Sequence, residues 1–270
     1  PVRLDLLIMY TAQAQIDAGG PAGLNALIQQ SIDNTNQAFI NSGYPSLSVR
    51  EVHRQLLTGF VPSGTTAEDA RFDRDRLRVD SQITTARDAH YADVTMVLLR
   101  DVFDAAGALQ LFACGSAYVQ SPTCGDAGAY PQCGVGASFE DYAISWVSTE
   151  CATLPGRNTF PHELGHLMGA EHQPGGPPIS QDPADASFVW SYANFRRFGT
   201  PFGTLMWIPT QQTGQLPQPL NFSDPDVFIG TIPSGIAGQR DNIRTFEALA
   251  PIMEQFRIPP EKLIFADRFE

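Results

Sequence analysis

Apolar residues fall along this chain in runs and rhythms that mark out a succession of strands and helices. Residues 4–10 (Leu-Asp-Leu-Leu-Ile-Met-Tyr) form a short apolar run, which predicts a buried strand. From Pro21 to about Ser42, Leu24, Leu27, Ile28, Ile32, Phe39 and Ile40 recur at helical spacing, and Gly43 with Pro45 stops the helix. Residues 47–57 read as a second strand, 67 to about 90 as one polar helix, and Val94–Leu99, apolar and rich in β-branching, as a central strand. On the polar helix Arg71, Arg74 and Arg78 lie among Asp69, Asp73 and Asp75, the make-up of a solvated face. The order strand-helix-strand-helix-strand predicts a mainly parallel sheet with crossover helices.

Residues 101–137 are Gly-rich and predict an irregular segment, after which Tyr142–Ser148 alternates well enough for one more strand. A helix is expected from Thr159, with Thr159 as N-cap and Pro161 tolerated in the first turn. From about 170 to 238 Pro and Gly dominate, leaving room for one short element near 187–198. Ile243, Phe246, Leu249 or Ala250, Met253 and Phe256 then mark a last amphipathic helix, kinked or interrupted at Pro251, and a tail follows from 259. The pattern predicts an α/β (α+β) fold divided into residues 1–169, a smaller irregular subdomain 170–258 ending in a helix, and a tail 259–270.

Composition narrows the function. A chain of 270 residues, 43% hydrophobic and 17% charged, can bury a sizeable core. Its net charge of -12, from 29 acids against 17 bases with Lys262 the single lysine, repels nucleic acid and anionic membranes. No apolar run reaches the roughly 20 residues that span a bilayer. The chain opens on Pro1-Val2-Arg3-Leu4-Asp5 without a signal-like start, so a signal and pro-segment are expected to have been removed. Cys114, Cys124, Cys133 and Cys151 share one loop-rich window and none is spaced as Cys-x-x-Cys, which points to two disulfides and an exported, extracellular protein. Three pairings are open; loop lengths suggest Cys124 with Cys133 nested inside Cys114 with Cys151.

The helix from Thr159 carries the chemistry: His162-Glu163-Leu164-Gly165-His166-Leu167-Met168-Gly169-Ala170-Glu171-His172. Residues four apart share a helix face, so His162 and His166 can hold one metal ion with Glu163 beside the open coordination position. On a continuous helix His172 would be rotated about 240° off that face and lie roughly 9 Å further along. The helix must therefore break, and Gly169, tolerant of the left-handed conformation, stands where the chain can turn back. His172 then completes a three-histidine zinc site with a fourth position open for water.

This stretch resembles the metzincin metallopeptidase motif His-Glu-x-x-His-x-x-Gly-x-x-His at every defined position, and Met206 in Gly203-Thr204-Leu205-Met206-Trp207 lies where that clan has its Met-turn. Asn221-Phe222-Ser223-Asp224-Pro225 and the helix after Gly238 look like those of secreted bacterial peptidyl-Asp metalloendopeptidases and their reprolysin-like relatives. These matches cover about residues 159–245, and the first half agrees in element order. Two positions depart from related patterns: Gln173 stands where reprolysin-type chains have Asp after the third His, and Ile208 where astacin-like ones have a zinc-binding Tyr. The resemblance implies a metzincin-like twisted mixed sheet and zinc-dependent hydrolysis of protein or peptide substrates. Glu163 would be the general base and Met206 an apolar floor under the histidines. It also places the substrate along an edge strand, expected at Tyr142–Ser148 with Trp146 in the subsite. Arg196 and Arg197, between His172 and Met206, are expected to present guanidinium to an acidic side chain after the cut bond.

Other expectations follow from single residues. His53 and His90 read as structural or surface residues. Asp182, Asp185, Asp224 and Asp226 leave calcium open without EF-hand spacing. The expected oligomeric state is a monomer and the precursor a zymogen. Two rival readings remain: a gluzincin-type peptidase whose third ligand is a downstream Glu such as Glu247, and a noncatalytic zinc-containing adhesion module.

Overall fold

In the computed structural model the described residues are 1–64, 66–100, 114–120, 134–154, 158–174, 186–209 and 214–258. The chain starts with β1 (Val2–Tyr10), whose end runs into a short helix, α1 (Ala12–Asp17), capped by the Thr11 hydroxyl accepting from the Ala14 N–H. Helix α2 (Pro21–Asn41) begins on Pro21, whose missing N–H costs nothing in a first turn, and turns Leu24, Ile28, Ile32 and Phe39 inward. Strand β2 (Leu47–Leu56) follows.

The single polar helix expected over 67–90 is two. Helix α3 (Ala67–Arg78) opens on a capping box between Thr66 and Asp69, and α4 (Ser81–Ala89) is restarted by Asp80, whose carboxylate accepts from Gln82 N–H. Its arginine face is not all solvated either, since Arg74 is only 3% exposed. Next come β3 (Val94–Leu99), β4 (Gly115–Ala117), a 3₁₀ turn at Gly136–Tyr142, β5 (Ile144–Ser148), α5 (Thr149–Ala152) and α6 (Thr159–Leu167). The N-cap of α6 is Asn158 in a left-handed conformation, one residue earlier than expected. Beyond it the irregular stretch holds two small hairpins, β6 (Phe195–Arg196) with β7 (Phe202–Gly203) and β8 (Phe228–Ile229) with β9 (Ile232–Pro233). Helix α7 (Asn242–Met253) closes the described chain and carries Pro251 inside its last turn.

The five-stranded sheet has the order β2-β1-β3-β5-β4, parallel throughout except for β4. Every residue of β3 and β5 is buried, as befits a parallel sheet covered on both faces. Helices α2 and α6 pack on each other and on the sheet, while α3 and α4 pack together elsewhere on it. The expected substrate edge is thereby corrected: β5 is hydrogen-bonded on both sides, and the edge beside it is β4. Trp146 is correspondingly not a surface subsite residue. It is 3% exposed, and its indole N–H donates to the Ala70 carbonyl at 2.9 Å, tying β5 to α3.

A disulfide joins Cys114, just before β4, to Cys151 in α5. Cys124, Cys133, Asp182, Asp185 and the tail from 259 lie outside the described residues.

Candidate active site

Helix α6 buries Phe160, Leu164 and Leu167 completely, which leaves His162 and His166 on one flank, one turn apart. The helix stops at Gly169, where φ is 88° and an added Cβ would stand 2.5 Å from Ser187 Oγ, so glycine is required twice over. The chain then reverses and is fixed by backbone bonds from Glu171 N–H to Ser191 O and from Ala193 N–H to Glu171 O. That short pairing delivers His172 to the flank of α6. The imidazole nitrogens of His162, His166 and His172 all lie within 4.8 Å of one another, the one such cluster among the described residues.

The donor set fits a tetrahedral dication. His162 Nδ1 is 2.7 Å from Leu205 O and His166 Nδ1 is 2.8 Å from Ala170 O. A carbonyl only accepts, so both Nδ1 atoms carry hydrogen and both Nε2 atoms present lone pairs. Each of these Nε2 atoms lies 3.0 Å from His172 Nε2. One N–H on His172 can satisfy one of them but not both, whereas ligands about 2.0–2.1 Å from a zinc ion stand only a little further apart than this.

Glu163 lies beside the trio against the backbone of β4: a Cβ added to Gly115 would be 2.7 Å from Glu163 Oε1. Burial pushes the Glu163 carboxyl up to about 8, with the positive charge of Arg74 pulling the other way. His166 is held well below its ordinary value by burial and by His162, which keeps it neutral and ligand-ready. Met206 is fully buried with its sulfur packed on Gly165, between the two helical histidines.

The model of the reprolysin-like metallo-peptidases of family M12B matches residues 25–173, from α2 through the third histidine. The chain belongs to that family. Among curated relatives, the peptidyl-Asp metalloendopeptidase of Xanthomonas campestris pv. campestris is 26% identical over 249 residues, 90% of this chain and 49% of that protein. The one of Pseudomonas aeruginosa is 29% identical over 269 residues, covering 95% and 41%. The one of Stenotrophomonas maltophilia R551-3 is 25% identical over 260 residues, covering 95% and 53%. The chain thus spans about half the length of the curated relatives it matches. A solved structure titled "Structure of a chaperone-substrate complex" superposes with a TM-score of 0.62 at 16% identity, covering 96% of this chain and 35% of that one, a likeness of fold.

In this M12B chain Gln173 stands where reprolysin-type chains have Asp, and it faces the segment of Met206. Its side-chain amide donates to Ile208 O at 2.7 Å and accepts from Ile208 N–H at 2.9 Å, joining the residue after the third histidine to the turn of Met206. Arg196 and Arg197 are exposed on the β6–β7 hairpin, Arg196 donating to Phe198 O and Arg197 lying over the Phe198 ring. Sequence reasoning missed a third guanidinium, that of Arg240. It is half-buried over the Phe195 ring, bonded to Asn194 Oδ1, and without a carboxylate partner among the described residues. Nothing local to Arg240 in the sequence marks it. Glu247 is exposed on α7 and outside the histidine cluster, which removes the basis for a gluzincin arrangement. Asp224 accepts from the Asp226 backbone N–H instead of forming a calcium cluster with it.

Proposed function

We propose that the chain is the catalytic part of a secreted zinc endopeptidase that cuts peptide bonds ahead of acidic residues. The observation that carries the reading is the convergence of three imidazole nitrogens within 4.8 Å, with a buried carboxyl beside them. His162, His166 and His172 would hold the zinc. When bound there, zinc activates a water and polarises the scissile carbonyl. Glu163 accepts the proton of the attacking water and passes it to the departing amine. To act as a base at neutral pH, Glu163 must lose the proton that burial makes it keep, and positive charge at the histidines lowers its pKa to that end. His162 and His166 keep their ligand tautomers by donating to Leu205 O and Ala170 O. The edge of β4 offers the substrate main-chain groups with which to pair.

In favour of acidic specificity stand the relatives' names, peptidyl-Asp metalloendopeptidase, and the guanidinium groups of Arg196, Arg197 and Arg240 on and beside the β6–β7 hairpin that leads into the Met206 turn. Export is supported by the Cys114–Cys151 disulfide. The test is mass-spectrometric mapping of cuts in a denatured protein mixture, with and without chelator and with Glu163→Gln as control. Chelator-sensitive cuts before Asp are expected, and Glu163→Gln should lower kcat about 10²- to 10⁴-fold with zinc retained. Cuts without acidic enrichment would discard the specificity. No cuts from folded, zinc-loaded protein would favour the noncatalytic adhesion module.

A further inference from the structure

Strand β4 is the rim on which a peptide would pair, and its bonds to β5 decide what it still offers. Ser148 N–H donates to Cys114 O, and Cα partners run Gly115↔Val147, Ser116↔Trp146 and Ala117↔Ser145. In an antiparallel ladder hydrogen-bonded pairs alternate, so Cys114 and Ser116 face β5, whereas the N–H and C=O of Gly115 and Ala117 face outward. Glu163 lies against Gly115, so with Glu163 as the base the reacting bond would lie opposite that residue. A peptide pairing antiparallel there runs its N-terminal flank toward Ala117, the next outward residue.

The outward carbonyl of Ala117 is already engaged. Arg74 Nη1 donates to it at 2.8 Å from α3. The guanidinium is held firmly: its Nε and Nη2 donate to Asp75 Oδ1, to which the Tyr118 hydroxyl also donates, and its carbon lies 3.8 Å from the centre of the Tyr118 ring. With Arg74 only 3% exposed, a substrate N–H that displaced it would leave a buried cation short of an acceptor.

We infer that Arg74 ends the pairing edge, so that main-chain recognition N-terminal to the cut stops after about two substrate residues. This rests on the peptidase reading and adds a limit on substrate choice: peptides with N-terminal flanks of two residues are handled as well as longer ones. Arg74 is a specificity-determining residue acting through the Ala117 carbonyl.

The experiment uses internally quenched peptides of one C-terminal half, with an acidic residue after the cut and N-terminal flanks of one to five residues. In the wild type, kcat/KM should climb over the first two residues and then change by less than about twofold. Arg74→Met cannot donate, so freeing the carbonyl should raise the long-to-short kcat/KM ratio about fivefold, the worth of one recovered hydrogen bond, chiefly through KM. A wild-type rate that keeps climbing with the third and fourth residues overturns the inference even if the variant does not fold. So does an unchanged ratio in a folded Arg74→Met protein. Absence of any chelator-sensitive cut, by contrast, removes the peptidase reading itself and the inference with it.

Discussion

Gly115 owes its identity to a contact with a residue far along the chain: its missing side chain is the space in which the Glu163 carboxyl rests. An added Cβ would meet Glu163 Oε1 at 2.7 Å and its Cγ at 2.8 Å. Its backbone shows no positive φ, so alanine strains nothing else there. Gly115→Ala is therefore expected to push the carboxyl aside and lower kcat/KM about 10- to 100-fold, because small misplacements of a reacting group are costly. Thermal unfolding should move little; a large loss of melting temperature with unchanged activity would show that the glycine serves packing. The contrast with the histidines explains what the sequence makes legible. His162, His166, Gly169 and His172 lie within eleven residues, where helix geometry and the need for a break at one glycine relate them. Gly115, Arg74 and Gln173 act through partners 48, 43 and 35 positions away, and no local pattern encodes such pairs.

At the scale of elements, periodicity locates what is long and one-sided and misses what is short. The strands β1, β2 and β3 and the helices α2 and α7 fall where the apolar rhythm places them. The edge strand β4 does not, since Gly-Ser-Ala has no apolar pattern and becomes a strand only by pairing with β5. The break between α3 and α4 turns on one capping carboxylate, Asp80, inside an otherwise continuous polar pattern. A three-residue edge strand needs an external tie, and the Cys114–Cys151 bond supplies it with its ends 37 positions apart. Loop closure of that size is worth about 4 kcal/mol on the chain-entropy account. The double variant Cys114→Ser, Cys151→Ser should accordingly unfold about 5–15 °C lower. Its KM for peptides should rise more than its kcat falls, because the rim loosens while α6 keeps its histidines. Equal KM in the two proteins would separate the disulfide from substrate pairing.

On the scale of the whole molecule one carboxyl joins the first strand, the third strand and the C-terminal end of the described chain. Asp93, at the foot of β3, accepts from the Asp5 N–H at 2.9 Å and from the Arg257 N–H at 3.4 Å. Its neighbour Arg87 is buried too and spends its guanidinium on the carbonyls of Ala92, Asp93 and Glu140. Burial pushes the Asp93 carboxyl from its ordinary 3.8 up to about 7, the two backbone bonds and Arg87 offsetting only part of the cost. Between those values the folded protein keeps a proton that the unfolded chain has released. Fewer protons bound in the unfolded state means that stability falls as pH rises through this window, and levels off above about pH 7. Three units of displacement correspond to at most about 4 kcal/mol. Asp93→Asn retains an acceptor for Asp5 and cannot ionise. Raised values at Asp224 and Asp241 tilt stability in the same direction, so the difference between wild type and variant is what isolates Asp93. Urea unfolding at pH 4.5, 6 and 8 should show the asparagine variant gaining on the wild type at each step and exceeding it at pH 8. A constant difference across the three would mean that Asp93 ionises in the folded protein as readily as in the unfolded chain.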